Sequence, residues 1–252
     1  MPSVSLRIDA IKQPRGGCIN IKKFSIIDFD DGVQLNENEN IAPGLVGTAV
    51  DYLTRYLTGA SKSNAFKISL LGARNANETD YAQSLLKNIN GLDELSITNA
   101  CKLAGYDCCY RVGMAAYRPV NDISPNKETI QNISIMVKRS LKFFEEYGPV
   151  VLCGFDFDGA YTNLITTGDG DYLTKDTLWD FKVSKKAPQG EDTLQLLVYY
   201  IMGHTSKHKE FQTVRKLGIW NPRLCKIYLL DRTEIANGIV KEVAVKVIGY
   251  KL

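Results

Sequence analysis

The segment Leu178-Trp179-Asp180-Phe181-Lys182-Val183-Ser184 constrains the fold most, because its strand-prone residues carry charge only at alternate positions. In an extended chain successive side chains point to opposite faces, so Asp180 and Lys182 share one face while Trp179, Phe181 and Val183 take the other. A strand with aromatic residues on one side and an acid and a base on the other belongs in a sheet whose apolar side is covered. Just upstream, YTNLITTGDGDYL reads as a second strand, and Leu173-Thr174-Lys175-Asp176-Thr177 supplies the polar residues of a tight return. Pairing across that return brings Asp171 towards Asp180.

Two carboxylates brought together raise each other's pKa unless a cation offsets them. A divalent metal does so most simply. Magnesium takes oxygen ligands and keeps several waters, so one or two carboxylates and a substrate phosphate suffice. Lys182 beside such an ion can orient a water and stabilise charge that builds on a phosphoryl group.

Downstream, Gln195 and Tyr199 stand four apart in DTLQLLVYYIMG, the spacing of neighbours on one helix face. Asp180-Phe181-Lys182 is the only acidic-x-Lys triplet in the chain. An Asp on the preceding strand, this triplet, and then Gln-x-x-x-Tyr on a helix together resemble the PD-(D/E)XK nuclease superfamily, in its RecB-like branch. The resemblance implies an α/β (mixed α+β) fold with a restriction-endonuclease-like core, a central mixed sheet flanked by helices. It implies magnesium or manganese on Asp171, Asp180 and the Phe181 carbonyl, with Asp171, Asp180 and Lys182 as the catalytic set. Gln195 and Tyr199 would contact nucleic acid or brace the site as a buried polar pair.

Further ligands implied by the resemblance fall earlier in the chain. Asp156, at the end of the run VVLCGFDFDG, stands where the family places an acid, and its same-face neighbour Asp158 competes with it. Residues 43–58 read as an amphipathic helix opened by Pro43 and closed by Gly59. It resembles the family's first helix, with Asp51 where some members carry a metal-binding histidine. No iron-sulfur cluster is expected, since only Cys225 lies beyond the Gln-Tyr helix. His204 and His208 lack a third zinc ligand nearby and read as basic surface residues.

Charge distribution says more than the mild net charge of +3. From Lys182 to Lys226 there are nine Lys or Arg against three acidic residues. Lys185 and Lys186 head this run, which is either a phosphate-binding rim or a solvated face. The six cysteines show no Cys-x-x-Cys spacing and read as thiols of a reducing compartment. No apolar run reaches membrane-spanning length, and MPSVSLRIDA lacks the layout of a secretion signal, so a cytoplasmic protein is expected.

The whole chain reads as a single nuclease-like domain with its core at about 43–58 and 148–231. A helical insertion is expected over about 64–147, N-terminal strands within 3–34 and a closing strand over 239–250. The implied activity is metal-dependent phosphodiester hydrolysis, with DNA as the expected partner, no membrane, and a homo-oligomer or larger nuclease complex as a setting. The alternative is an inactive protein of the same fold that binds nucleic acid or acts in assembly.

Overall fold

The computed structural model describes residues 2–29 and 31–251. In chain order it runs α1 (Val4–Asp9), β1 (Ser25–Asp28), α2 (Pro43–Leu57), α3 (Lys62–Ala65), α4 (Lys67–Asn75), α5 (Thr79–Lys87), α6 (Glu94–Ala104), α7 (Asp107–Arg111) and α8 (Lys127–Tyr147). There follow β2 (Leu152–Asp156), β3 (Asp169–Leu173), β4 (Thr177–Phe181), α9 (Gly190–Thr205), β5 (Lys216–Asn221), β6 (Lys226–Asp231) and α10 (Asn237–Val243). These elements form two compact units, one of residues 1–30 and 147–252 and the other of residues 31–146.

The first unit is built on a six-stranded sheet in the order β1-β6-β5-β4-β3-β2. β2, β3 and β4 make an antiparallel meander, α9 then crosses over, and β5 lies parallel to β4. β6 returns antiparallel to β5, and β1 adds the far edge. The β3–β4 turn closes through the Thr174 N–H on the Thr177 carbonyl at 3.0 Å, and the Trp179 indole N–H donates to Thr174 Oγ1 at 3.1 Å. All five residues of β4 are buried.

α9 covers one face of this sheet. Its start is set by a capping box, in which the Gln189 side chain and the Asp192 carboxylate each satisfy the other's backbone N–H. Leu194, Leu197, Val198 and Ile201 from the helix join Leu173, Leu178, Leu217, Ile219, Tyr228 and Leu230 in one core. Near its end Gly203 lets the helix approach Phe211, whose ring lies 2.0 Å from where a Cβ would stand.

Two expected strands are corrected and the one within 17–34 is shorter than expected. Residues 3–12 hold the helix α1, N-capped by Ser3, whose Oγ accepts the Leu6 N–H at 3.2 Å. Val4, Leu6 and Ile8 imitate a strand's period of two, yet only Val4 and Ile8, four apart, are buried, and Leu6 is 60% exposed. Within 17–34 the only strand among the described residues is β1; Ile21–Lys23 is a 3-10 turn capped by Asn20. The closing segment 239–250 is also helical, since α10 runs into a π-helical turn at Ala244–Ile248. Val243, Ala244, Val247 and Ile248 are buried there, a helical spacing hidden inside an alternating run. Arg7 donates to the carbonyls of Lys246 and Val247, satisfying acceptors at that turn.

The second unit is helical, α2 to α8 with short 3-10 turns. α2 opens at Pro43 as expected, but it clusters with this unit, so residues 43–58 do not share a compact unit with 148–231 and the expected single domain is corrected to two units. Its interior holds Asp107, which accepts the Tyr52 and Ser69 hydroxyls at 2.6 Å each. Arg139 of α8 grips Asp31 through two nitrogens at 2.9 and 2.7 Å.

Candidate functional site

The β3–β4 register sets Tyr172 opposite Trp179, so one step further Asp171 comes level with Asp180. Asp171 Oδ2 accepts the Phe181 N–H at 2.8 Å, clamping the two strands where the ladder opens. Asp180 is only 2% exposed. The Lys182 N–H continues the β4–β5 ladder onto the Trp220 carbonyl at 3.0 Å, which turns the lysine side chain to the Asp180 face.

Lys182 Nζ meets three oxygens, the Gln195 Oε1 at 2.7 Å, Asp180 Oδ2 at 3.1 Å and Asp192 Oδ1 at 3.4 Å. The first is a hydrogen bond and the other two are ion pairs. Gln195 is itself oriented, because its Nε2 donates to the Tyr199 hydroxyl at 2.8 Å. Helix spacing therefore produces a chain from Tyr199 through Gln195 to Lys182. Asp192 is held from its other oxygen, Oδ2, by the Gln189 N–H at 2.7 Å.

Electrostatics follow from this crowding. Burial disfavours the charge on Lys182, but Asp180, Asp192 and Asp171 outweigh it and hold the lysine pKa above its ordinary value. Burial, reinforced by Asp169, Asp171 and Asp180, pushes the Tyr199 phenol well above its usual range, while the Gln195 hydrogen bond opposes the shift. Tyr199 thus stays a neutral hydroxyl facing carboxylates.

The sequence-derived candidates separate here. Asp171, Asp180, Phe181, Lys182, Gln195 and Tyr199 come together. Asp156 pairs in register with Asp169, but its side chain is 58% exposed and lies 3.7 Å from His208 Nε2. Asp158 is taken up by Lys207 at 2.6 Å. In the helical unit the Arg55 guanidinium holds Asp51 at 2.5 and 2.9 Å. Lys185 and Lys186 are exposed in the loop after β4.

The sequence pattern did not single out Asp169 and Asp192, and His208, read as a basic surface residue, has Asp156 as a neighbour. Asp169 was signalled by its two-residue spacing from Asp171 in DGDYL, and Asp192 by its place three before Gln195, one helical turn. His208 lies beyond α9 and depends on the fold for its neighbours.

Among the described residues no group of three or more His, Cys, Asp or Glu side chains is gathered closely enough to hold a metal by itself, and no helix is long and apolar enough to cross a membrane. The cysteines form no disulfide among the described residues. No protein-family model, no curated protein and no solved structure matches this chain.

Proposed function

We propose that this protein is a metal-dependent nuclease that hydrolyses phosphodiester bonds, with DNA as its substrate, on a restriction-endonuclease-like core of the RecB-like PD-(D/E)XK type. The observation that carries this reading is the meeting of Asp171, Asp180 and Lys182 on one sheet face, with Lys182 seated on Gln195 and Gln195 on Tyr199. An acid-bearing hairpin feeding a crossover helix supports it at the level of fold.

A divalent cation fits the donor chemistry. Asp171, Asp180 and the Phe181 carbonyl offer hard oxygens, and Asp180, Asp192 and Asp171 act on the ammonium of Lys182. That balance leaves the site strongly negative, as a magnesium or manganese site is before loading. When bound, the metal would polarise a phosphoryl oxygen and acidify a water. The protein's own groups do the rest. Lys182 donates to the attacking water and to the charge that accumulates on the phosphorus oxygens. Gln195 and Tyr199 fix its direction, and the 2% exposure of Asp180 keeps bulk water from screening the charges. The exposed Lys185 and Lys186 sit where they can meet a phosphate backbone.

The test is cleavage of single- and double-stranded DNA and RNA with magnesium or manganese. Wild type cleaves DNA, and Asp180→Asn and Lys182→Ala each lose about 10²–10⁴-fold in rate. Equal rates in all three proteins contradict the proposal. Cleavage of RNA alone contradicts the choice of DNA.

A further inference from the structure

The proposed reaction explains why Lys182 stands beside Asp180, but not why a second carboxylate reaches the same ammonium. Asp192 is not on the sheet with the acids. It belongs to the first turn of α9, and its two oxygens have separate tasks, with Oδ2 accepting the Gln189 N–H at 2.7 Å and Oδ1 facing Lys182 Nζ at 3.4 Å. The capping contact fixes the carboxylate plane, so Oδ1 is aimed rather than drifting. Gln195, on the same helix, is fixed in the same way by Tyr199. Lys182 Nζ therefore lies between a strand carboxylate at 3.1 Å and a rigid pair of oxygens on the helix, at 2.7 and 3.4 Å.

A divalent cation on Asp180 competes with the lysine for the same carboxylate, and two cations on one acid repel. The ammonium has to yield part of its contact with Asp180 without leaving the site. Asp192 Oδ1, at 3.4 Å, and Gln195 Oε1, at 2.7 Å, are the oxygens already within its reach.

We propose that Asp192 is a positioning residue that receives the Lys182 ammonium when a divalent cation takes Asp180, so that the ammonium keeps a carboxylate partner whether or not the metal is bound. This rests on the metal-site reading above. Without metal, Lys182 would serve as the cation of Asp180; on loading it would move to the seat formed by Asp192 and Gln195. Asp192 thus promotes metal binding without being a ligand.

The experiment is calorimetric titration of manganese into wild type, Asp192→Asn, Lys182→Met and the double variant. Asparagine keeps an acceptor for the Gln189 N–H and removes only the charge. Wild type binds manganese, Asp192→Asn binds it at least about fivefold more weakly, and Lys182→Met binds it more tightly. In the Lys182→Met background the further change Asp192→Asn shifts affinity by less than about twofold, because there is no ammonium left to receive. An equal effect of Asp192→Asn in both backgrounds means that the carboxylate acts on the metal directly, and it overturns the exchange. Unchanged affinity in Asp192→Asn overturns it too, while leaving the metal site standing. No binding to wild type overturns both. Should Lys182→Met fail to fold, Lys182→Gln keeps a donor to Asp180 without the charge and serves the same comparison.

Discussion

At the scale of single residues, one lysine is held among carboxylates. Lys182 has its pKa raised above the ordinary lysine value, because the neighbouring acids outweigh burial. For a raised base, the stabilisation is fully present below the unfolded-state value, about 10.4, and is lost only as pH climbs through the higher folded-state one. In EDTA, Lys182→Met is expected to cost about 3–5 kcal/mol, since it leaves the buried Asp180 without its cation. Heat-unfolding curves of the two proteins should show that gap unchanged from pH 7 to pH 10 and narrowing only above. A gap that closes between pH 7 and pH 9 means that Lys182 is not held as described. The identities of these residues were legible in sequence, because the two-residue strand period and four-residue helix spacing are local rules. Asp192 and Asp169 were not singled out, since both are short acids in polar stretches whose meaning depends on which element folds over which.

At the scale of elements, α9 links the site to the core, and the packing at its two ends differs in kind. Its first turn is polar and serves Lys182, whereas its last turn depends on Gly203 lying against Phe211, with only 2.0 Å from ring to virtual Cβ. Gly203→Ala should therefore cost about 1–3 kcal/mol by overpacking. Gly238, exposed in α10 with nothing within 4 Å of its virtual Cβ, is the control. Gly238→Ala should be stabilising by about 0.5–1 kcal/mol through helix propensity alone. Chemical denaturation of the two variants checks the contrast, and equal effects contradict the packing. The hairpin, α9 and the strands after it could be anticipated because their patterns are long and bounded by turns. The terminal segments could not. In α1 and in the run from α10 to Ile248, apolar residues satisfy both periods, and the decision falls to a cap at Ser3 and to the Arg7 contacts with distant carbonyls.

At the scale of the whole molecule, the sheet-bearing unit and the helical unit each have their own interior, and the candidate site lies in the first. A helical stretch between the first helix and the meander was legible from composition; that α2 belongs with that stretch depends on contacts distant in sequence. Charge also acts at this scale. Lys185, Lys186, Lys209 and Arg215 are exposed in the unit that carries the site. If they form a phosphate rim, DNA affinity measured without metal should fall steeply with salt, and Lys185→Gln with Lys186→Gln should reduce the slope of log K against log salt by about 2. An unchanged slope assigns those lysines to a solvated face. The central claim, that Asp171 and Asp180 share one cation beside Lys182, is tested most directly by crystals grown with manganese and examined for anomalous scattering. A peak in contact with both carboxylates and the Phe181 carbonyl is expected; manganese bound elsewhere, with none at this cluster, would contradict the claim.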